Sequence, residues 1–471
     1  MFPVVIRNLG CKLNQLEGEA VAGSFKQAGF PLVPRGGEFD GPGIIIINTC
    51  TVTSKADQKA RREIRQALRE NPGACVIVVG CYALLDQAEI EAIAAEVEVA
   101  AGGGKRLFVP AGDAGAGGTK GAGAVKSILL ELPKYLREND AAKKDLPGIL
   151  ELFFKNAKGD SPFGFNPGEF ISHSRGYLKI QDGCDGGCAY CRVPQARGSC
   201  LSLPKETALE RLLFFENKGC VEIMITGVNI TRYDASGCGL ADIIEYLLEG
   251  SRVIALRISS LEPEGIDKRL ASVLAHPRVR PHFHLSVQSG SNAVLKKMGR
   301  KYSAEDAETG AALLRSVKDD PFLACDIIAG FPGETEDDFL QTLSFCEKNR
   351  FAWIHAFPFS KRPGTPAFSF ENTVCEREVS RRVQALTDLA LRGRREYAGR
   401  LLGRELAAVT EKAKGVQKGY CRAVSENYLK LLIECPGEIP PAGSSLRCIP
   451  VSLCEDANGV KPDAIAVLLN F

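Results

Sequence analysis

Three cysteines in the run Cys184-Asp-Gly-Gly-Cys188-Ala-Tyr-Cys191 are the strongest chemical signal in this chain. Three thiolates so closely spaced, directly after the strand-like run GYLKIQ, can wrap one soft metal centre. A zinc site would draw a fourth protein ligand from nearby, usually as two separated pairs. None stands at that spacing, since Cys200 lies beyond a proline and a glycine. On a 4Fe-4S cluster three cysteines leave one iron open, and an open iron can coordinate a substrate or cofactor. The competing reading is a zinc knuckle or a buried cysteine group.

A second trio is dispersed but regular. Cys11 follows VVIRNLG, Cys50 follows IIIINT and Cys81 follows VIVVG. Each stands just past the carboxyl end of a predicted strand, and in a parallel sheet those ends share one edge, where ligands bind. Three thiolates could meet there. Cys75 begins its strand, so it is expected at the opposite edge as packing. The bland alternative is three small buried hydrophobes. The other ten cysteines (Cys200, Cys220, Cys238, Cys325, Cys346, Cys375, Cys421, Cys435, Cys448, Cys454) share no ligand spacing. The N-terminus, MFPVVIRNLGCKLNQ, lacks the pattern of a secretory signal. With 17 cysteines and no such signal, the protein is expected in the cytosol with its thiols reduced.

Positioning these groups takes strands that end where the chemistry begins. The first section alternates apolar runs with helical patterns such as EGEAVAGSFKQAG and SKADQKARREIRQALRE, which predicts a parallel sheet with crossover helices. AGDAGAGGTKGAGAVK then reads as a linker or inserted loop. One helical piece, AVKSILLELPKYLREND, follows it. Six strand candidates come next: GYLKIQ, VEIMIT, ALRISS, FHLSV, CDIIAG and WIHAFPF. Their spacing is that of βα units and predicts a partial (β/α)6 barrel, with functional groups where strands end. A basic helix leads out. Five short runs (ELAAVTE, YCRAVS, LKLLIE, SLRCIPV, AIAVLLN) then predict a small antiparallel β-barrel. The fold class is thus α/β, with expected domains at 1–104, 171–403 and 404–471 and a linker or insertion at 105–170.

Lys plus Arg number 59 against 57 Asp plus Glu, so net charge announces no nucleic-acid partner. Any such contact must be local. Lys55, Lys59, Arg62 and Arg69 fall near one face of the helix after Cys50; Arg381, Arg382, Arg392, Arg394 and Arg395 line the later basic helix. Such groups can pair with phosphates, or form a solvated face with internal ion pairs. Tyr420 and Tyr428 suit base stacking or a barrel core. Of the histidines (His173, His276, His282, His284, His355), only His282 and His284 are paired, alternating in a strand, and they read as structural. No apolar run is long enough to span a bilayer.

Cys184, Cys188 and Cys191, with Tyr190 before the last, match the radical S-adenosylmethionine signature. The contexts LGCKLNQ, NTCTVTSKAD and VVGCYA resemble the methylthiotransferase family. GCKLNQ, NTCTVTSKADQKAR, YLKIQDGC, LSVQSGSNAVLKKMGRKY, DIIAGFPGETEDDF and HAFPFSKRPGTPA are most similar to its branch acting on N6-threonylcarbamoyladenosine in tRNA. The resemblance covers most of the chain outside 105–170. Departures are Ser286-Val287 before Gln288, the Gly/Ala-rich insertion, and Gly186-Gly187 in the cluster loop.

The resemblance implies two 4Fe-4S clusters, with the auxiliary one on Cys11, Cys50 and Cys81, and a C-terminal RNA-binding barrel of the TRAM type. The open iron of the Cys184/Cys188/Cys191 cluster would chelate S-adenosylmethionine and cleave it to a 5′-deoxyadenosyl radical. That radical takes hydrogen from adenine C2, and the auxiliary cluster delivers a methylated sulfur. It implies tRNA, modified at position 37, and an electron-donor protein as partners. Thr226-Gly227, Ser259, Glu262, Gln288 and Asp326 are expected contacts to S-adenosylmethionine, beside Tyr190. The Gly330–Glu334 turn resembles the family's adenine-side loop. Each single residue also suits a turn or capping role. The alternatives are the same chemistry on isopentenyl-adenosine tRNA or on a ribosomal protein, or a non-catalytic iron–sulfur RNA-binding protein or redox sensor.

Overall fold

In the computed structural model a parallel sheet of order β2-β1-β3-β4-β5 opens the chain. Its strands are β1 (Val4–Asn8), β2 (Leu32–Val33), β3 (Gly43–Thr49), β4 (Ala74–Gly80) and β5 (Leu107–Phe108). The structure describes all residues except 35–36, 38–40, 102–105, 111–120, 142–144, 160, 167, 169–173, 413–415, 417, 456–460 and 471, and gives only the backbone at 98–101. Most of the Gly/Ala-rich stretch, and His173, lie outside the described residues. The connecting helices are α1 (Lys12–Gln27), α2 (Ser54–Glu70), α3 (Cys81–Leu85) and α4 (Gln87–Ala101). Every residue of β3 and β4 is buried, as continuous Ile/Val runs require in a sheet covered on both faces. Ile45, Ile47, Val76 and Val78 pack on α2 and α4. Ile44, Ile46, Ile77 and Val79 face α1 and two later helices, α5 (Ala122–Glu138) and α6 (Leu146–Asn156). From these, Leu129, Leu132, Leu136, Leu150 and Phe153 enter the same core. Helices α5 and α6, from within the 105–170 stretch, thus supply apolar cover for one face of the first sheet.

Six parallel strands follow: β6 (Gly176–Lys179), β9 (Glu222–Thr226), β10 (Ala255–Ile258), β11 (His282–Gln288), β12 (Phe322–Ala329) and β13 (Trp353–Pro358). They pair in that order, with β10 and β11 joined by the bridges Leu256–Val279 and Leu261–Leu285. Between β6 and β9 stands a two-stranded ribbon, β7 (Gln181–Asp182) with β8 (Leu201–Ser202), spanning a loop that contains α7 (Val193–Arg197). The outer helices are α8 (Lys205–Asn217), α9 (Leu240–Gly250), α10 (Lys268–Leu274), α11 (Asn292–Lys297), α12 (Ala304–Ser316) and α13 (Glu336–Lys348).

Strand alternation sorts the barrel residues. Leu178, Ile223, Ile225, Leu256, Ile258, Phe283, Leu285 and Cys325 join the outer helices in one core. The residues between them (Lys179, Glu222, Arg257, His282, His284, Asp326) therefore face inward. At the open edge, the inner face of β6 meets α1: Tyr177 donates to Gln15 at 3.4 Å and Lys179 pairs with Glu17 at 2.9 Å.

Helix α14 (Glu376–Arg400) leads to a closed barrel of order β14-β15-β16-β18-β17. These strands are β14 (Leu406–Thr410), β15 (Tyr420–Ser425), β16 (Lys430–Glu434), β17 (Ser445–Leu453) and β18 (Ala464–Asn470). All five expected runs are strands. The barrel is antiparallel except where β16 and β18 pair in parallel. An odd strand number forces this, because strict up-down alternation cannot close on itself. The buried pair Arg394–Asp463, at 2.6 Å, ties α14 to this barrel.

Candidate active site

Cys11, Cys50 and Cys81 emerge from the carboxyl ends of the adjacent strands β1, β3 and β4. Close backbone approach brings the first two loops together. Gly10 has φ +92°, and a Cβ there would stand 2.6 Å from Cys50 Sγ, so only glycine fits. Asn14 donates to the carbonyls of Leu9 and Thr49, both at 2.8 Å, and so clamps the ends of β1 and β3. Cys50 and Cys81 are buried and Cys11 is exposed. The Cys50 thiol hydrogen-bonds to Cys11 and, with Arg197, holds the Cys11 thiol down at about 5. The same bond raises Cys50.

Beneath this trio lies a sealed charge network. Arg197 binds Glu17 at 2.8 Å and Asp182 at 3.1 Å. Lys179 reaches the same two carboxylates, and Lys126 binds Glu17 and donates to Asn14 Oδ1 at 3.0 Å. All five charged side chains are at most 2% exposed. Three cations face two carboxylates. Burial pushes Glu17 up, but Arg197, Lys126 and Lys179 outweigh it and hold Glu17 well below its ordinary 4.5. A surplus of buried positive charge under three thiols suits an anionic thiolate-ligated cluster.

The second trio is built locally. The β7–β8 ribbon pins the base of the loop, and Cys184 N donates to Gly198 O at 3.0 Å. A Cβ at Gly186 would lie 3.1 Å from Cys184 Sγ and 3.8 Å from Cys188 Sγ, so these sulfurs flank one small residue. Backbone amides of Gly186 and Val193 donate to Cys184 Sγ and Cys191 Sγ, at 3.3 and 3.4 Å. Burial raises all three thiols, Cys191 to about 12. The donor set, three half-buried thiols with two amide donors and no fourth protein ligand in the loop, fits a cluster with one open iron.

A clasp joins the two regions. Arg192, next to Cys191, donates to both oxygens of Asp86 at 2.8 and 3.1 Å and to Thr51 Oγ1 at 3.5 Å. Asp86 caps α3, which begins at Cys81, and Thr51 follows Cys50. Arg362 closes the other side, donating to Thr51 Oγ1 at 2.6 Å and pairing with Asp57.

The remaining expected contacts divide. Thr226, Ser259 and Gln288 stand at or just past the ends of β9, β10 and β11, all buried, with Gly227 packed on Gln181. Gln288 has φ +70°. Glu262 accepts from Arg300 at 2.6 Å, and Arg300 donates to the Tyr190 hydroxyl at 2.6 Å, linking two expected contacts beside the cluster loop. Asp326 lies instead within β12, facing inward, where it is hydrogen-bonded to His284 at 3.1 Å. Sequence reasoning passed over Arg192, Arg300 and Lys126. Arginines beside Cys191 and in MGRKY were available signals; Lys126 had none.

The basic helices also differ. Lys55, Lys59, Arg62 and Arg69 are exposed on α2, without ion pairs among the described residues. On α14, Arg381 and Arg382 pair with Glu336 and Glu378, Arg392 with Glu347, and Arg394 with Asp463. Those four are committed within the protein. Tyr428 packs on His282, with ring centroids 4.2 Å apart.

Six parallel strands around a three-cysteine loop define a radical S-adenosylmethionine protein, and residues 178–346 match the family model described as Radical SAM superfamily. Residues 3–102 match one described as Uncharacterized protein family UPF0004. The fold is shared with the radical S-adenosylmethionine methyltransferase TsrM of Kitasatospora setae, with TM-score 0.50 and 15% identity, covering 78% of this chain and 76% of that one. Within that class, the chain is 40% identical to the threonylcarbamoyladenosine tRNA methylthiotransferase MtaB of Treponema pallidum, over 95% of this chain and 98% of the relative. It is 33% identical to the protein of that name in Thermotoga maritima, over 91% of each. It is 30% identical to the tRNA-2-methylthio-N(6)-dimethylallyladenosine synthase of Thermobifida fusca, over 89% of this chain and 80% of the relative. The chain belongs to the tRNA methylthiotransferase family. It is an enzyme whose cofactors are two 4Fe-4S clusters and S-adenosylmethionine. Among the described residues no helix is long and apolar enough to cross a membrane.

Proposed function

We propose that this enzyme converts N6-threonylcarbamoyladenosine at position 37 of tRNA, 3′ of the anticodon, to its 2-methylthio derivative. The observation carrying the reaction type is the clasp of Arg192 and Arg362 on Thr51, Asp57 and Asp86, which sets one cysteine trio against the other. What supports the threonylcarbamoyl substrate over dimethylallyladenosine is the 40% and 33% identity to two relatives of the first name, against 27% and 30% for two of the second; further relatives of the first name share 28–31%.

In this reading Cys184, Cys188 and Cys191 hold the cluster that binds S-adenosylmethionine, and Cys11, Cys50 and Cys81 hold the auxiliary cluster. When bound, these groups supply a carbon radical and a methylated sulfur. The protein's own part is placement. Asn14 and Gly10 fix the separation of the first two cysteines. Arg197, Lys126 and Lys179 neutralise the charge gathered there. Arg300 orients Glu262 and Tyr190 against the cluster loop, while Thr226, Gly227, Ser259 and Gln288 offer buried polar and backbone groups to the cofactor. Asp326 contributes from deeper in the barrel.

The division into 1–104 for the auxiliary site, 105–170 as connecting insertion, 171–403 for the radical site and 404–471 for RNA completes the proposal. The α2 stripe, without ion pairs among the described residues, takes tRNA phosphates. An electron-donor protein and a cytoplasmic setting follow from the chemistry. The test is nucleoside mass spectrometry of tRNAs carrying each modified adenosine, together with ribosomal proteins, after anaerobic reaction with the reconstituted enzyme. The threonylcarbamoyl nucleoside should gain one methylthio group while the others stay unchanged. A gain only on isopentenyl-adenosine or on protein would overturn the substrate, and no 5′-deoxyadenosine with any of them would overturn catalysis.

A further inference from the structure

The first turn of α1 lies across the inner face of β6, and from it Lys12, directly after Cys11, extends into the barrel. The side chain is partly buried near Tyr428, Arg257, Asp326 and Arg175. Its ammonium has no hydrogen bond, and no carboxylate within ion-pair reach, among the described residues.

The other charges around it are matched. Arg257 and Arg280 both grip Glu222 at 2.8 Å. Asp326 is bonded by His284, which is held in turn by Ser260 at 2.7 Å. Among the described residues, two more polar atoms beside Tyr428 lack hydrogen-bond partners: Arg175 Nη1, which only approaches Glu222 at 3.7 Å, and Nδ1 of His282, a residue only 4% exposed. An unpaired ammonium with unused hydrogen-bonding capacity in a semi-enclosed wall is costly unless an anion completes it.

We propose that Lys12 is a specificity residue, pairing with the terminal carboxylate of the threonylcarbamoyl arm of the substrate base. This rests on the substrate reading above. Lys12 is adjacent in sequence to a proposed ligand of the auxiliary cluster, so a base presented to the two trios comes within its neighbourhood. On adenine the C2 edge and the N6 substituent point in different directions, so the arm extends away from the reacting carbon. A dimethylallyl arm carries no charge and leaves Lys12 unpaired.

The test compares tRNAs bearing threonylcarbamoyladenosine, the same nucleoside with its carboxylate converted to a primary amide, and isopentenyl-adenosine. Binding is read by fluorescence anisotropy on reconstituted wild-type enzyme, Lys12→Met and Lys12→Arg, with iron content measured for each. Wild type should bind the carboxylate form about 10- to 100-fold more tightly than the amide, the range for a hydrogen bond to a charged group. Lys12→Met should close that gap to within about twofold, and Lys12→Arg should keep most of it, since the charge is what discriminates. Equal wild-type affinity for acid and amide would overturn the proposal, as would undiminished discrimination in Lys12→Met. The wild-type comparison decides even where the variant assembles poorly. A wild type that methylthiolates only isopentenyl-adenosine would instead sink the substrate reading, whatever its acid-to-amide ratio.

Discussion

The two cysteine trios reach similar ends by opposite routes. Cys184, Cys188 and Cys191 sit in one loop whose base is pinned by a two-stranded ribbon and whose own amides donate to two of the sulfurs. Cys11, Cys50 and Cys81 come from three strands and depend on tertiary structure: a glycine contact, the Asn14 clamp and five buried charges drawn from α1, α5, β6, β7 and α7. Thiol chemistry differs accordingly. Burial alone dominates the local trio and raises it, whereas the dispersed trio has Cys11 lowered to about 5 by Cys50 and Arg197. A site assembled from distant residues needs its charge balanced by the fold; a site on one loop can carry its donors with it.

The contrast can be broken hardest at Arg197. Arg197→Met would leave Glu17 and Asp182 short of a buried partner, at a cost of about 3–5 kcal/mol in denaturant unfolding. Iron should be lost first from the dispersed trio. Arg300→Met, beside the loop trio, removes hydrogen bonds to half-buried partners and should cost only about 1–3 kcal/mol. Its main effect should be slower 5′-deoxyadenosine formation with iron content retained.

Acid sharpens the comparison. Glu17 is held below its ordinary 4.5 in the folded protein, so the stability it contributes is present above about that pH and is lost as pH falls further. A pH series of unfolding midpoints should show that decline, and Glu17→Gln should flatten it. The smallest effect is expected on α2. Lys59→Gln should change stability by no more than about 0.5 kcal/mol, yet lower the slope of log affinity for tRNA against log salt by about 1.

Much of this was legible because strands announce themselves as Ile/Val runs and each cysteine of the dispersed trio follows one. The loop trio was legible from spacing alone. The charge network was not, because Lys126 closes a Gly/Ala-rich stretch read as a linker while Glu17 and Arg197 stand far away in sequence. Partners that meet only through packing leave no local pattern. The α14 arginines misled for a related reason: their spacing shows a basic helix, but Glu334, Glu336, Glu347 and Asp463, which occupy four of them, come from other elements. Asp326 lies within β12 rather than at its end, so its inward position beside His284 was not to be read from strand ends.

The most direct test of the central claim is iron and acid-labile sulfide per chain in anaerobically reconstituted wild type and in two triple alanine variants, at Cys11/Cys50/Cys81 and at Cys184/Cys188/Cys191. Wild type should hold about eight irons and each variant about four, because each cubane holds four. Only the first variant should still cleave S-adenosylmethionine under dithionite. Iron unchanged by either triple substitution, or removed entirely by one of them in a protein that remains folded, would contradict two independent cluster sites.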